Sequence, residues 1–305
     1  MIFKRVRVDP THAIAEVAAP NSSAVPDVIN VADSDDEDVV AAPAPTAPNS
    51  SAVREVFDVA DSDDEDVVAA AAHARPDYMV PTAAQRALAR LHFAESNTFG
   101  DHAFVTRDDL ILSGSSFCRL KGETWMNDEV INLYFRLIDE RSRNHDEFRK
   151  VFSHSSLFWA KITESGYNYG NVARWSKQID IFDFDLLFIP INLSNSHWIL
   201  GFVDLKNQLI GAWDSLNQPD PEYPQLIEMY LRDEWVAKKG GPFPYHFSVD
   251  RTQVPKQDNM VDCGVFISMF AESLARGVGT DFSQADAAHA RLQMAVQIKR
   301  GSILA

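Results

Sequence analysis

Apolar residues recur at helical spacing in two segments. Thr82 to Asn97 carries Leu88, Leu91 and Phe93 among charges, and Asn127 to Arg143 carries Val130, Ile131, Tyr134, Phe135, Leu137 and Ile138 behind a capping Asn127 or Asp128. Leu186 to Ile191 is a short unbroken apolar run, the pattern of a buried strand. His197 to Leu205 and Gln208 to Trp213 read as two strands turning at Lys206 and Asn207. Pro221 to Lys239 is helical, Tyr245 to Val249 a short strand, Val261 to Arg276 a helix and Gln284 to Arg300 a terminal helix. Helices outnumber strands and the strands cluster in the middle, which predicts an α+β domain over 79–305.

Ahead of that domain the texture changes. Residues 19–42 return at 47–70 with twenty of twenty-four positions identical. Two copies of Ala, Pro, Ser and Asp with Phe57 as their only aromatic cannot bury a core, so 1–78 reads as a disordered acidic tail. The formal charge of −16 is concentrated there: residues 1–75 hold fifteen acids against five bases. Without clustered Lys and Arg, no nucleic-acid partner is expected. No run of about 18 apolar residues suggests a membrane span. Cys118 and Cys263 are the only cysteines, in no metal-binding spacing, so neither a metal, a disulfide framework nor a cofactor is expected.

The cysteines then matter as thiols. Cys263 opens an apolar helix, where free N–H groups and the helix dipole favour negative charge. A free cysteine near a helix start is more often core, and an Asp262 carboxylate facing the sulfur would oppose its ionisation. The upstream hairpin shifts the balance. If Leu205 pairs with Gln208, residue 199 pairs with Asp214, and His197 lies one same-face step from that carboxylate. A base held in one tautomer by a carboxylate is what a thiol nucleophile needs. Cys118 has no such neighbours in the sequence and reads as core.

These residues resemble the ubiquitin-like protein-specific proteases, also called sentrin-specific or SUMO proteases, which are papain-like cysteine peptidases. The resemblance covers roughly residues 95–305. It rests on Trp125-Met-Asn-Asp128 with Val130-Ile131-Asn132, Val172-Ala-Arg-Trp175, Pro190-Ile-Asn-Leu193, Ser196-His-Trp198, Ile210-Gly211, Asp214-Ser-Leu216, and Gln257-x-Asn259 ahead of Asp262-Cys-Gly264. It implies a papain-like fold with a central mixed sheet flanked by helices. It also implies Cys263 as nucleophile, His197 as base and later acid, Asp214 as its orienting carboxylate and Gln257 as oxyanion donor. Trp125 and Trp198 would enclose the modifier's Gly-Gly tail, and Asp128 would meet a basic residue on the modifier. Two departures stand out: Met126 where the family usually has Leu, and the loop Lys256-Gln-Asp-Asn-Met-Val261 where it more often has Gln-Gln-Pro-Asn-Gly. The second bears on the level of activity more than on the reaction type.

Within the tail, Val28, Ile29 and Val31, and in the second copy Val56, Phe57 and Val59, run into Asp-Ser-Asp-Asp-Glu-Asp. Three β-formers beside acids resemble the SUMO-interacting motif, in which a strand joins a sheet edge while the acids meet a basic rim. The expected activity is cleavage after the Gly-Gly of SUMO, to free it from lysines and to mature its precursor. Expected partners are SUMO, its conjugates and, through the tail, poly-SUMO chains. Alternatives are a deneddylase or deubiquitinase of the same fold, or a non-catalytic SUMO-binding protein. A monomer is expected. Lys4, Arg5 and Arg7 are too short a basic run for a nuclear signal, so nuclear location, with some cytoplasmic protein, follows from the resemblance.

Overall fold

Caps and apolar spacing set the element boundaries. In the computed structural model, which describes residues 80–218 and 221–303, the first helix, α1, spans Ala83–Ser96. The repeated tail, with both clusters of β-formers, lies outside the described residues. Thr82 opens α1 with reciprocal bonds: its hydroxyl accepts the Gln85 N–H and the Gln85 side chain accepts the Thr82 N–H. The buried face of α1 is Ala89, Phe93 and Ser96. Leu88 and Leu91 fall out of phase with that stripe and are exposed.

A hairpin follows, β1 (Ala103–Arg107) and β2 (Leu110–Ser113), then α2 (Gly114–Phe117), α3 (Asp128–Asn144), β3 (Val151–Ser153) and α4 (Leu157–Ile162). The second half is β4 (Leu186–Leu193), β5 (His197–Asp204), β6 (Leu209–Trp213), α5 (Tyr223–Lys238), β7 (Ser248–Val249), α6 (Cys263–Arg276) and α7 (Ala287–Arg300). Cys118, expected in the core, is half-buried as the C-cap of α2.

Strands order as β3-β4-β5-β6-β7, with β3/β4 and β6/β7 parallel and the two central pairs antiparallel. The sheet is therefore mixed and has a core on each face. Leu186 and Phe188 with Trp198, Leu200 and Phe202 meet α3, α6 and α7, while Leu187, Ile189 and Ile191 with Ile199 and Val203 meet α4 and α5. Burial on both faces is why β4 reads as an unbroken apolar run.

The β5–β6 register has Leu200 opposite Trp213 and Asp204 opposite Leu209, as the hairpin pattern predicts. Its turn is different. Residues 205–208 form it, and of these only Gln208 has positive φ (54°), so it is not a two-residue mirror-image turn. Asp204 closes it by accepting the Asn207 backbone and side-chain N–H groups, both at 2.9 Å. The strand expected from Tyr245 shrinks to Ser248–Val249, because the preceding rings pack elsewhere: Tyr245 stacks between Phe182 and Phe247 at 5.7 and 5.5 Å.

Candidate active site

Cys263 is the first residue of α6, a helix buried along nearly its whole length. Asp262 precedes it without capping the helix through its side chain. Its carboxylate points to α7 instead, accepting from Arg291 Nε at 2.9 Å and Nη2 at 2.5 Å, from Asn259 Nδ2 at 2.7 Å and from Gln284 Nε2 at 2.6 Å. Burial pushes the Asp262 pKa up, and these hydrogen bonds with the Arg291 charge outweigh it and hold it below the usual carboxylate value. The anion next to the cysteine is thus matched by a buried cation. Breaking such a pair costs about 3–5 kcal/mol because the partner left behind is an uncompensated charge.

His197 begins β5 and Asp214 follows β6, so the register delivers the pair: Nε2 to Oδ1 is 2.6 Å. Asp214 also accepts the backbone N–H groups of Leu216 at 2.7 Å and Gln218 at 3.0 Å. Against the opposing effect of burial, the His197 bond and those two N–H groups keep Asp214 below its ordinary pKa. For His197, burial lowers the pKa, yet the hydrogen bonds and charges of Asp214 and Cys263 prevail and push it up to about 9. Cys263 and that imidazole line the same cleft.

Both tryptophans are anchored to backbone. The Trp125 indole N–H donates to the Met260 carbonyl at 2.7 Å, and that of Trp198 to the Met126 carbonyl at 2.9 Å. Trp198 is buried and Trp125 is 43% exposed, so one is a wall and the other a flap over the opening. Met126 is wedged further by Gly264, where an added Cβ would stand 2.9 Å from the Met126 Cβ. Any larger residue after Cys263 would push the Trp125 segment away.

A cleft of about 190 Å³ collects Trp125, Met126, Asp128, Asn192, His197, Trp198 and Cys263 in its lining. Asp128, exposed in the first turn of α3, stands at its edge. Gln257 does not line it. Its Oε1 accepts from Ser215 Oγ at 2.6 Å and its Nε2 donates to the Asn259 carbonyl at 2.5 Å, which holds the amide at both ends. A larger groove of about 880 Å³, between α5 and residues 247–254, touches Asp214 from behind and contains neither the cysteine nor the histidine. Ser215 and Asn259 stood in the sequence motifs without a role, and Gln284 and Arg291 escaped the sequence reading. For Arg291 a signal existed: it stands between Ala290 and Met294, on the buried face of an amphipathic helix.

A cysteine heading a buried helix, an imidazole in the same cleft and a carboxylate bonded to that imidazole, mounted on a mixed sheet, make up the residue set of the cysteine peptidase class. The chain belongs to the Ulp1 protease family: residues 124–303 match its C-terminal catalytic domain. It is 29% identical over 75% of its length to a sentrin-specific protease of Caenorhabditis elegans. It is 32% identical over 54% of its length to sentrin-specific protease 2 of Rattus norvegicus. These matches take in 32% and 28% of those relatives, so the chain spans about a third of the length of the curated relatives it matches. Among solved structures, the C-terminal Ulp1 protease domain in complex with Smt3, the yeast ortholog of SUMO, superposes with a TM-score of 0.63 at 26% identity, over 74% of this chain and 98% of that one. The SUMO protease Ulp1 with its catalytic cysteine oxidized to a sulfenic acid gives 0.62 at 27% identity, over 73% and 97%.

Proposed function

We propose that this chain is a thiol protease that hydrolyses the bond after the C-terminal Gly-Gly of SUMO, freeing it from target lysines and maturing its precursor. The observation that carries the reading is the 2.6 Å bond from His197 Nε2 to Asp214 Oδ1, with Cys263 lining the same cleft as that imidazole. Asp214 occupies Nε2, which leaves Nδ1 for the proton of Cys263. The thiolate attacks the terminal glycine carbonyl, and the oxygen takes up the negative charge. The Cys263 N–H at the helix start is one donor to it. Gln257 is the second: one of its two amide protons is used by the Asn259 carbonyl and the other remains. Collapse of the intermediate breaks the C–N bond, and His197 gives its proton to the departing lysine amine. A thioester is left on Cys263. Water, deprotonated by His197, then attacks that thioester, releasing the SUMO carboxylate and restoring the thiol.

Trp125 and Trp198 enclose the two glycines, whose lack of side chains suits a passage walled by indoles. Asp128 meets a basic residue of SUMO. Support for SUMO as the modifier comes from the family and from the Ulp1 domain solved with Smt3. The test is release of a fluorophore from the C-termini of SUMO, NEDD8 and ubiquitin. SUMO should be fastest, and faster release from NEDD8 or ubiquitin would reassign the modifier. Cys263→Ser should keep SUMO binding and lose cleavage; cleavage at the wild-type rate would remove Cys263 from the reaction.

A further inference from the structure

Arg291 is buried on α7 and every nitrogen of its guanidinium is used. Nη1 donates to the Arg119 carbonyl at 2.8 Å; Nη2 donates to the Thr124 carbonyl at 2.8 Å and reaches the Val261 carbonyl at 3.4 Å; Nε and Nη2 both donate to Asp262 Oδ1. Three chain segments therefore meet on one side chain: the residues leading into Trp125, the loop entering α6, and α7 itself. A planar fork with fixed directions can make this junction, whereas the single ammonium of a lysine cannot.

We propose that Arg291 is a positioning residue for Cys263: its guanidinium grips the Trp125 segment and the start of α6 together and cancels the charge of Asp262, the residue that precedes Cys263 in the chain. This rests on Cys263 being the nucleophile. Other charged groups also face the site. His197 and Asp214 approach from the sheet, while Arg119 and Asp128 line the cleft from exposed positions and Asp258 is exposed on the preceding loop. Water screens the last three, whereas Asp262 and Arg291 are buried and their charges are screened least. A thiolate next to an unmatched Asp262 would be disfavoured by like charge, and the match with Arg291 removes that opposition.

The experiment uses the full chain and measures the pH dependence of iodoacetamide alkylation at Cys263, with mass spectrometry separating it from Cys118. Arg291→Gln should move the acid limb of alkylation upwards by about one pH unit, the size a nearby like charge produces. Adding Asp262→Asn to Arg291→Gln should return the limb to its wild-type position, which a loss of packing alone would not do. Arg291→Lys should keep the limb, since the charge remains, while raising KM for fluorogenic SUMO several-fold because the Trp125 segment is no longer gripped. An unmoved limb in Arg291→Gln, or a shift that Asp262→Asn does not reverse, overturns the proposal. Should Arg291→Gln fail to fold, Asp262→Asn alone leaves the Arg291 cation unopposed and must move the limb downwards; no movement or an upward one is equally fatal. If wild-type Cys263 is alkylated no faster than Cys118, the nucleophile assignment fails instead, and that result is read before any variant is made.

Discussion

At the scale of residues, the chemistry turns on how long His197 keeps its proton. Its pKa is raised from 6.5 to about 9, so the imidazolium is fully present below the ordinary value and is lost as pH rises through 9. The step in which His197 protonates the leaving amine should weaken above that point. Asp214→Asn removes the charge that sustains the shift. Its kcat/KM profile on fluorogenic SUMO should show the basic limb moved down towards the ordinary histidine value and turnover reduced by about 100- to 10,000-fold. A limb that stays in place would separate Asp214 from the base. The pairing itself was legible in the sequence because side chains alternate along strands and the hairpin register is set by apolar positions. The orientation of Asp262 was not, since it depends on Arg291, which lies on a helix 29 residues further on. Nor was the engagement of Gln257, which requires the Ser215 hydroxyl 42 residues before it.

Among elements, the long periodic ones were legible and the short ones were not. The helix expected from Asn127 begins at Asp128 with Asn127 as its cap, and the apolar run from Leu186 is β4. By contrast β3 is three residues long, too short for any periodicity, and is fixed by α3: Ser142 Oγ accepts the Val151 N–H at 3.1 Å, and Asp139 accepts the Ser153 N–H at 3.0 Å and hydroxyl at 2.7 Å. Asp139 is buried, and that burial, opposed by the two Ser153 bonds, pushes its pKa from 3.8 up to about 7. The folded chain therefore retains a proton that the unfolded chain has released. Stability from this group is complete below pH 3.8 and is lost as pH rises through 7. Asp139→Asn can still accept the Ser153 N–H and donate to its hydroxyl, without titrating. Urea denaturation should find the variant close to wild type near pH 5 and more stable near pH 8; an equal difference at both would mean Asp139 is ionised throughout.

For the whole molecule, the proposal that SUMO is the modifier extends to the tail. The repeated clusters at Val28-Ile29-x-Val31 and Val56-Phe57-x-Val59 would act as two weak sites on one chain, raising the local concentration of a SUMO polymer beside the cleft. Deleting residues 19–70 should leave cleavage of a single SUMO fusion within about twofold and slow poly-SUMO processing roughly tenfold or more. Equal rates on poly-SUMO would reduce the repeats to a solvated acidic stretch. The hairpin carries a consequence in time as well as in space. His197 and Asp214 are 17 residues apart and meet when one local turn closes, whereas Cys263 enters only when α6 docks between the sheet and α3. Loop-closure cost favours the nearer contact. A refolding chain is therefore expected to pair His197 with Asp214 before Cys263 joins them. Capture by a SUMO-based thiol probe during refolding should lag the recovery of strand signal; coincident recovery would show the site assembling in a single event.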